Sequence, residues 1–469
     1  MHRTSDRNAT KDRVAAGLRW HDTACAILRF AVAGLWLTCS TGRLCGQAGV
    51  LDPSFAPTLE FTGGSPVVRA ITRATNNRLL IGGTFTSVNG SPINCVALLL
   101  PNGALDTSFF VNPVTFQPNS AIRTLAVDTN GWFILSGLFG GPGPGLRFLC
   151  RVSPSGFDDT GFPEPSTRPD GSVDAIVVAP DNAVWIGGSF SAPRNRIARY
   201  NSSGIVDSGF NPGTAFANPV RALALQTDGK LLTGSLNLLA RLNSNGTFDP
   251  AFNAGTGPDG EVLVIALQSD AKILVGGEFT AFNDLPIPYL VRLLPSGAID
   301  STFSTGAGPD NWVRCIVPQP DGRILIAGAF TSVDGVPRAR IARLTDTGAL
   351  DRTFSGDAAT DDVVAAMTRQ SNGLLALGGA FTTLNGASRN GLGRIGSTDM
   401  RIEAVQIQSN GVARVTTRGQ PGLAFVLEAT GDFANWSSIT SRVSTIAASS
   451  IQDPESTNYA LRFYRMRSP

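Results

Sequence analysis

Two short loops of the sequence carry the side chains best suited to binding or catalysis. The stretch "GTGPDGE" spans residues 255–261, "GAGPDNW" spans residues 306–312, and the two are copies of one repeated phrase. Together they supply three carboxylates and an indole ring, a combination that suits a sugar or a basic peptide. We predict a ligand site where these loops approach the centre of the fold. Its predicted binding residues are Asp259, Glu261, Asp310 and Trp312.

Two other interpretations of these loops remain open. In the first, they are solvated turns of the repeat, and Trp312 packs in a contact between repeated units. In the second, a pair of carboxylates hydrolyses or eliminates a glycoside, a chemistry that needs no histidine. Asp259 with Asp310 is the pair such an enzyme would use, although no spacing singles it out. We therefore predict no catalytic residues and keep a carbohydrate-active hydrolase or lyase as the alternative function.

Histidine is absent from most of the chain. His2 and His21 are the two histidines, and both lie in the first 48 residues. The rest of the chain therefore lacks Ser-His-Asp triads, Cys-His pairs and histidine metal ligands. Its three cysteines, Cys95, Cys150 and Cys315, are far apart and odd in number, which predicts buried small side chains rather than a disulfide framework. No phosphate loop or dinucleotide fingerprint appears, and we predict no metal and no cofactor.

The two loops belong to a unit that recurs along the chain. One anchor of the unit is a glycine in a phrase of the type Gly-Gly-x-Phe, and the other is the motif Asp-x-x-Phe. The glycine anchor falls at Gly83, Gly137, Gly188, Gly234, Gly277, Gly328 and Gly379. The aspartate anchor falls at Asp52, Asp106, Asp159, Asp207, Asp249, Asp300 and Asp351. Seven copies, with glycine intervals of 43 to 54 residues, predict an all-β, seven-bladed β-propeller.

Each unit divides into four short runs with the character of β-strands. In the fifth unit these are "EVLVIALQ" (261–268), "KILVGGEF" (272–279), "YLVRLL" (289–294) and "AIDSTF" (298–303). Turns rich in Asn, Asp and Gly separate the runs, as in antiparallel hairpins. The pattern predicts four-stranded blades, and the absence of helical periodicity predicts few helices.

The order of the anchors predicts how the ring closes. "GVLDPSF" (49–55) carries an Asp-x-x-Phe motif before the first complete unit, and the seventh unit ends one strand short at residue 396. We predict that residues 49–55 supply the missing outer strand of the last blade. Closure by this amino-terminal strand leaves no unpaired sheet edge between the first and last blades.

The repeat resembles a known family. "VRALALQTDGKLLTGS" (220–235), "RLNSNGTFDPAF" (241–252) and "DGRILIAGAF" (321–330) carry its clearest copies. Over about residues 49–397 the chain resembles the delta-60 repeat family of secreted bacterial β-propellers. The resemblance implies a propeller and export from the cell. It implies no reaction and no site residue, because the family has no established chemistry to carry over.

A different pattern begins after residue 396. "RIEAVQIQ" (401–408) and "LAFVLEA" (423–429) are alternating runs that predict a small, separate β-sandwich over residues 400–469. "FVLEATGDFANWSSI" (425–439) with "RFYRM" (462–466) resembles a module found at the carboxyl ends of secreted bacterial proteins. That resemblance implies a sorting or attachment module, or a cap.

Residues 1–48 are typical of an export leader. They combine seven Lys or Arg with three Asp, an apolar run "FAVAGLWLTC" (30–39) and a candidate cleavage site at "GQA" (46–48). The remaining chain holds 31 basic and 33 acidic residues. This balance gives no overall basic charge to attract nucleic acid.

Taken together, these features predict an exported, non-enzymatic β-propeller that acts as a binding or surface-structural scaffold. The expected ligand lies on the loop face near the central channel, whereas the alternative enzyme would use carboxylates at the channel mouth. We expect a polysaccharide or a protein at the cell surface as partner, and no nucleic acid. We further expect a monomer with no membrane span in the mature chain, located at the cell surface, in the periplasm or outside the cell.

Overall fold

The computed structural model of the protein falls into two compact units, one within Gln47–Thr398 and the other containing Asp399–Pro469. It describes residues 49–110, 115–117, 120–140, 147–354, 358–396, 401–418, 424–431, 435, 437–443, 448–459 and 462–467. The predicted leader, residues 1–48, lies outside the described residues.

Helical structure in the described residues is limited to three short 3-10 segments. These are Thr75–Asn77, Pro165–Thr167 and Pro454–Asn458. In the described part of the chain, no helix has both the length and the apolar character needed to cross a membrane. The rest of the described chain is built from β-strands and turns, as the sequence pattern predicts.

Seven antiparallel sheets, each with an inner, a middle and a third strand, occur in the described part of residues 49–396 and are numbered here sheet 1 to sheet 7 in chain order. The inner strands are Val67–Arg73, Ala121–Val127, Val173–Val178, Val220–Leu225, Val262–Leu267, Val313–Pro318 and Val364–Arg369. The middle strands are Leu79–Thr84, Phe133–Phe139, Val184–Gly188, Leu231–Ser235, Ile273–Gly277, Ile324–Gly328 and Leu374–Gly379. The third strands are Val96–Leu99, Arg147–Val152, Ile197–Tyr200, Leu238–Leu242, Leu290–Leu293, Ile341–Leu344 and Leu392–Gly396.

Short hairpins lie between the middle and third strands of sheets 1, 6 and 7. The hairpin of sheet 1 consists of Ser87–Val88 and Ser91–Pro92, and Leu59–Glu60 pairs with it as a third strand. The hairpins of sheets 6 and 7 consist of Ser332–Val333 with Val336–Pro337 and of Thr383–Leu384 with Ala387–Ser388.

The fourth strand of each unit is shorter than the sequence pattern predicts. After the third strand the chain turns back and makes one antiparallel bridge, such as that between Leu99 and Leu105 in sheet 1. The pairing then ends, because the Asp-x-x-Phe motif forms a turn in which the Asp106 carboxylate accepts the backbone N–H of Ser108 at 3.0 Å. The aspartate makes the same local hydrogen bond in all seven copies. Each sheet therefore consists of three strands and a bridged fourth segment.

A β-bulge interrupts every inner strand near its start. In sheet 5, Val262 pairs with Gly277 and Val264 pairs with Gly276, so Leu263 between them has no partner. A Cβ atom on Gly277 would lie 2.0 Å from the carbonyl oxygen of Glu261, so any side chain here would force the local backbone to shift. The anchor glycines of sheets 1, 2, 3, 6 and 7 meet the same obstacle, at 1.9 to 2.2 Å. The recurrence of this glycine is thus a consequence of the bulge.

The pairing register corrects one of the predicted anchors. Gly234, taken from the sequence pattern as the anchor of the fourth unit, pairs with Ala222, whereas Ser235 pairs with Val220 at the bulge. The Ser235 hydroxyl donates a hydrogen bond to the carbonyl oxygen of Pro219 at 2.8 Å. A hydrogen-bonding side chain therefore takes the place of glycine in this sheet.

The seven inner strands stand side by side in a closed ring. Each packs against the inner strand of the next sheet, and the inner strand of sheet 7 packs against that of sheet 1. Sheets arranged radially around a central channel are the architecture of a β-propeller. The predicted all-β propeller is therefore confirmed.

The amino-terminal segment 49–55 pairs with the third strand of sheet 7. Leu51 forms an antiparallel bridge with Ile395, and the backbone N–H of Asp52 donates to the carbonyl oxygen of Arg394 at 2.8 Å. The segment thus occupies the place that the fourth segment takes in the other sheets, and it joins the two ends of the ring.

A buried arginine of the third strand connects one sheet to the next. In sheet 5, Arg292 Nε donates to the Asp300 carboxylate at 2.8 Å, and its Nη1 donates to the carbonyl oxygen of Asp346 in sheet 6 at 2.5 Å. The same guanidinium lies 4.6 Å from the ring centroid of Phe303. Charge-assisted hydrogen bonds and a cation–π contact therefore converge on one side chain. We call this arrangement the arginine clamp.

The ion pair of the clamp recurs in six of the seven sheets of the described chain. The pairs are Arg151–Asp159, Arg199–Asp207, Arg241–Asp249, Arg292–Asp300, Arg343–Asp351 and Arg394–Asp52. In sheet 7, Arg394 Nη1 also donates to the carbonyl oxygen of Pro101 in sheet 1 at 2.6 Å, so the clamp spans the seam of the ring. In sheet 1, Arg78 outside the third strand binds Asp106 at 2.8 Å instead.

The carboxyl-terminal unit contains two three-stranded antiparallel sheets. One consists of Arg401–Ile407, Ala413–Arg418 and Ala448–Asp453, and the other of Ser437–Val443, Ala424–Thr430 and Phe463–Arg467. A buried polar cluster lies within this unit, where Asp453 accepts hydrogen bonds from Arg462 Nε at 2.9 Å and from the Tyr464 hydroxyl at 3.0 Å.

Deletion of residues 49–55 from the full-length chain should destabilise the ring. The deletion removes several backbone hydrogen bonds, the carboxylate partner of Arg394 and the buried ring of Phe55, together about 6 kcal/mol. We expect the melting temperature, measured by circular dichroism, to fall by roughly 10 °C or more. Val50→Ser, at an exposed position of the same segment, should melt like the unaltered protein. Unchanged melting of the deletion variant would contradict closure by this segment.

The arginine clamp should make stability depend on pH in acid. Hydrogen bonds from Lys230 and Ala251, with the charge of Arg241, lower the pKa of Asp249 from 3.8 to about 2. Its contribution to stability is therefore complete above about pH 4 and is lost as the pH falls towards 2. The free energy of unfolding is measured with urea at pH 7, 4 and 2.5. At pH 7 it should be lower for Asp249→Asn than for the unaltered protein, and it should fall less for the variant on acidification. Asp228→Asn, at a half-exposed carboxylate 4.0 Å from Lys230, is the matched control and should retain the pH dependence.

Candidate functional site

The unpaired residue of each bulge lines the central channel. These residues are Arg69, Arg123, Asp174, Arg221, Leu263, Arg314 and Ala365, given in order around the ring. All seven line a single cavity of about 430 Å³. Each is the second or third residue of its inner strand, at the end of the channel reached by the loops that join successive sheets. We call these seven residues the channel ring.

Two arginines of the channel ring are paired with carboxylates. Arg123 Nη1 lies 2.7 Å from Asp174 Oδ1, and the Asp174 side chain is 9% exposed. Arg221 Nε forms an ion pair with the carboxylate of Glu261. The predicted site residue Glu261 therefore lies beside the channel ring, where its charge is balanced by Arg221.

The other two arginines of the channel ring are Arg69 and Arg314. Neither Arg69 nor Arg314 has a hydrogen-bond or ion-pair partner among the described residues. They belong to sheets 1 and 6, and between them sheet 7 contributes only the methyl group of Ala365. Desolvation by the channel walls, followed by the positive charges of Arg314 and Arg123, lowers the pKa of Arg69. Positive charge thus accumulates on one side of the cavity.

The predicted site residues Asp259 and Asp310 brace the loops next to the channel. The Asp259 carboxylate accepts hydrogen bonds from the backbone N–H and hydroxyl of Thr280, both at 2.7 Å, and from the N–H of Ala281 at 2.8 Å. Asp310 makes the equivalent bonds to Thr331 and Ser332. The same arrangement occurs at Asp170 and Asp361.

These hydrogen bonds also determine the ionisation of the two carboxyls. The bond from the Ala281 N–H and those from Thr280 lower the pKa of Asp259. Burial opposes the shift at Asp310, but hydrogen bonds from Thr331 and Ser332 leave its pKa lowered as well. Both side chains are therefore held as carboxylates, and both oxygens of each already accept hydrogen bonds from the loop.

The fourth predicted residue, Trp312, is half-buried directly before the inner strand of sheet 6. Its backbone carbonyl accepts the N–H of Ala329 at 3.1 Å. The structure thus places Glu261 beside the channel ring, and Asp259 and Asp310 in loop-bracing contacts. Nothing in the structure tests whether the four predicted residues bind a ligand together, and that site stays a prediction.

Cysteines and metal-binding groups contribute no further site in the described chain. Cys95, Cys150 and Cys315 are buried and unpaired, as the sequence predicts, and burial raises the pKa of each thiol. Among the residues that the structure describes, no cluster of three or more His, Cys, Asp or Glu side chains could hold a metal ion.

Sequence reasoning missed the arginines of the channel ring, although a signal was present. In four of the seven units the bulged residue is an arginine, and the next residue is paired again, as in Arg69–Ala70 and Arg221–Ala222. The remaining units have Asp, Leu or Ala there. Variation at one position within an otherwise regular strand is the sign that this position faces a shared cavity rather than the core.

If Asp259 braces its loop, its removal should loosen that loop. We expect Asp259→Ala to lower the free energy of unfolding by about 1–2 kcal/mol, because two backbone N–H groups lose their acceptor. Hydrogen exchange should accelerate at the amides of Thr280 and Ala281. Glu278→Ala, at an exposed carboxylate without a hydrogen bond among the described residues, should change neither quantity. Unaltered exchange in Asp259→Ala would show that the carboxylate is free for another role.

The repeated part of the chain matches a family model described as a domain of unknown function (DUF5122) beta-propeller. The matches cover residues 74–109, 179–210, 226–252, 268–303 and 319–354, less than half of the chain. No curated protein matches the sequence.

Several solved structures are similar to this chain at low identity. One is the extracellular domain of a protein described as a hybrid two component system of B. thetaiotaomicron, with 12% identity, a TM-score of 0.47, and coverage of 84% of this chain and 53% of that chain. Another is the extracellular domain of a one component system of the same organism, with 11% identity, a TM-score of 0.45, and coverage of 89% and 56%. The chain therefore spans about half the length of these two domains.

A third similar structure is a catalytically inactive virginiamycin B lyase from Staphylococcus aureus with quinupristin. It has 14% identity and a TM-score of 0.47, and the match covers 72% of this chain and 98% of that chain. Similarity of this degree carries no inference about activity. The described repeat is a β-propeller, and parts of it match a family model of unknown function.

Proposed function

We propose that this protein is an exported, non-enzymatic binding protein whose ligand contacts the channel ring and the loops around it. The observation that carries the proposal is the contrast between the seven units. Glycine, aspartate and phenylalanine anchors recur to meet structural demands, whereas the channel ring combines four arginines with Asp174, Leu263 and Ala365 in one cavity. A volume of about 430 Å³ is within the usual range for small-ligand sites.

The alternative, a carbohydrate-active enzyme, receives less support from the carboxylates. A glycosidase needs one carboxyl with a raised pKa as the acid, placed opposite a second carboxylate. Here the pKa values of Asp259 and Asp310 are lowered, and their oxygens bind loop amides. The carboxylate of Asp174, which lines the cavity, and that of Glu261 are both paired with arginines of the channel ring.

The finer architecture belongs to the same proposal. The seven described sheets support a seven-bladed ring over residues 49–397, closed by the segment 49–55. The two three-stranded sheets support a β-sandwich at residues 400–469 as a separate module. Export rests on the predicted leader, residues 1–48, and on the resemblance to secreted proteins. A polysaccharide or protein at the cell surface is the proposed partner of a monomeric scaffold.

The test combines binding with turnover. The protein recovered after export, without its predicted leader, is applied to a glycan and peptide array, and the same glycans are then assayed for released products. We expect binding without product release. Turnover of any glycan would overturn the proposal in favour of the enzyme. Absence of both binding and turnover would overturn it in favour of a purely structural surface protein.

A further inference from the structure

We infer that the channel ring holds an oxyanion, a carboxylate, phosphate or sulfate group of a small ligand, between Arg69 and Arg314 over Ala365. This inference rests on the proposed function, since it assigns the chemistry of the ligand that the channel mouth would bind. The loop carboxylates alone favour a sugar or a basic peptide as the ligand, whereas the channel ring favours a ligand with a negative charge.

Arg69 and Arg314 lie on either side of Ala365 in the channel ring. Sheets 6, 7 and 1 are consecutive, because the inner strand of sheet 7 packs between those of sheets 6 and 1. Their bulged residues, Arg314, Ala365 and Arg69, therefore stand side by side in the cavity. Of the described residues of sheet 7, Ala365 lines the cavity, so this sheet contributes only a methyl group between the two arginines.

The four arginines of the channel ring differ in whether a carboxylate among the described residues balances their charge. On the other side of the cavity, Asp174 neutralises Arg123, and Glu261 neutralises Arg221. Arg69 and Arg314 face the same cavity without a counter-ion among the described residues. Two like charges that share a cavity repel each other, and an anion between them removes that repulsion.

The guanidinium group of arginine is well suited to binding an oxyanion. Its planar fork of N–H donors matches the oxygens of a carboxylate, phosphate or sulfate and binds them in a bidentate way. Leu263 adds an apolar surface on the far side of Arg314, which suits the carbon skeleton of an organic ligand. The cavity therefore combines an oxyanion subsite with room for the rest of a small molecule.

Calorimetric titration of the full-length protein at low ionic strength tests the inference. The probes are inorganic phosphate, inorganic sulfate, a galacturonate disaccharide and the neutral galactose disaccharide as the uncharged comparison. The inorganic probes report a simple anion site, whereas the uronate reports an oxyanion on an organic ligand. We expect an anionic probe to bind, binding to weaken with added salt, and the neutral disaccharide to bind at least tenfold more weakly.

Three variants locate the subsite. Arg69→Gln and Arg314→Gln should each weaken binding of the anionic probe by about tenfold or more, because each removes one charge-assisted contact. Ala365→Glu should abolish binding while both arginines remain, because its carboxylate would occupy the place of the ligand. Arg73→Gln, at an exposed arginine four residues further along the same strand as Arg69, is the matched control and should bind as the unaltered protein does. Melting temperatures of all four variants verify that they fold.

The outcomes separate this inference from the proposed function. Failure of every anionic probe to bind, or equal binding by the Arg69→Gln, Arg314→Gln double variant, would overturn the oxyanion subsite. If that double variant still bound its ligands on the glycan and peptide array, the protein would remain a binding protein with a different site. If phosphate bound as expected while the array stayed silent, the subsite would stand and the proposed recognition function would fall.

Discussion

The ring depends on a buried ion pair between an arginine of the third strand and the aspartate of the Asp-x-x-Phe motif. A guanidinium has several donors, so one arginine can bind a carboxylate in its own sheet and a carbonyl oxygen in the next. Arg292 does so between sheets 5 and 6. Such a pair gains little over apolar packing, but either partner alone would be a buried, uncompensated charge. The arginine and the aspartate of a clamp therefore depend on each other for compensation of charge, and Arg394 with Asp52 forms the same pair across the seam.

Most of the fold could be predicted from the sequence, because each sheet repeats the same local demands. The aspartate turns, the glycine beside the bulge and the apolar strands recur where the structure needs them. The exceptions are matters of register. The fourth strand stops after one bridge because the aspartate turn begins at once, and the anchor of sheet 4 is Ser235 rather than Gly234. Which of two adjacent residues faces a bulge depends on contacts across the sheet, and a pattern of residue types does not contain that information.

The candidate site was much harder to predict. Asp259 and Asp310 have the composition of a binding loop, yet their carboxylates are bound by amides 21 and 22 residues further along the chain. The channel ring collects one side chain from each sheet, so its members are about 50 residues apart in sequence. The net charge also gives no sign of the arginines in the channel ring, because the 31 basic and 33 acidic residues after position 48 nearly cancel. A local field depends on where charges meet, which only the folded ring determines.

The bulge has a consequence for how such a protein can change over generations. Because the bulged residue pairs with no neighbouring strand, its side chain can be exchanged without disturbing the hydrogen-bond ladder or the core. The ring thus presents seven positions that are nearly independent of folding, all converging on one cavity. Arg, Asp, Leu and Ala already occupy them in this chain. A single substitution at one of these positions can therefore alter what the cavity binds, while the anchors that maintain the architecture stay unchanged.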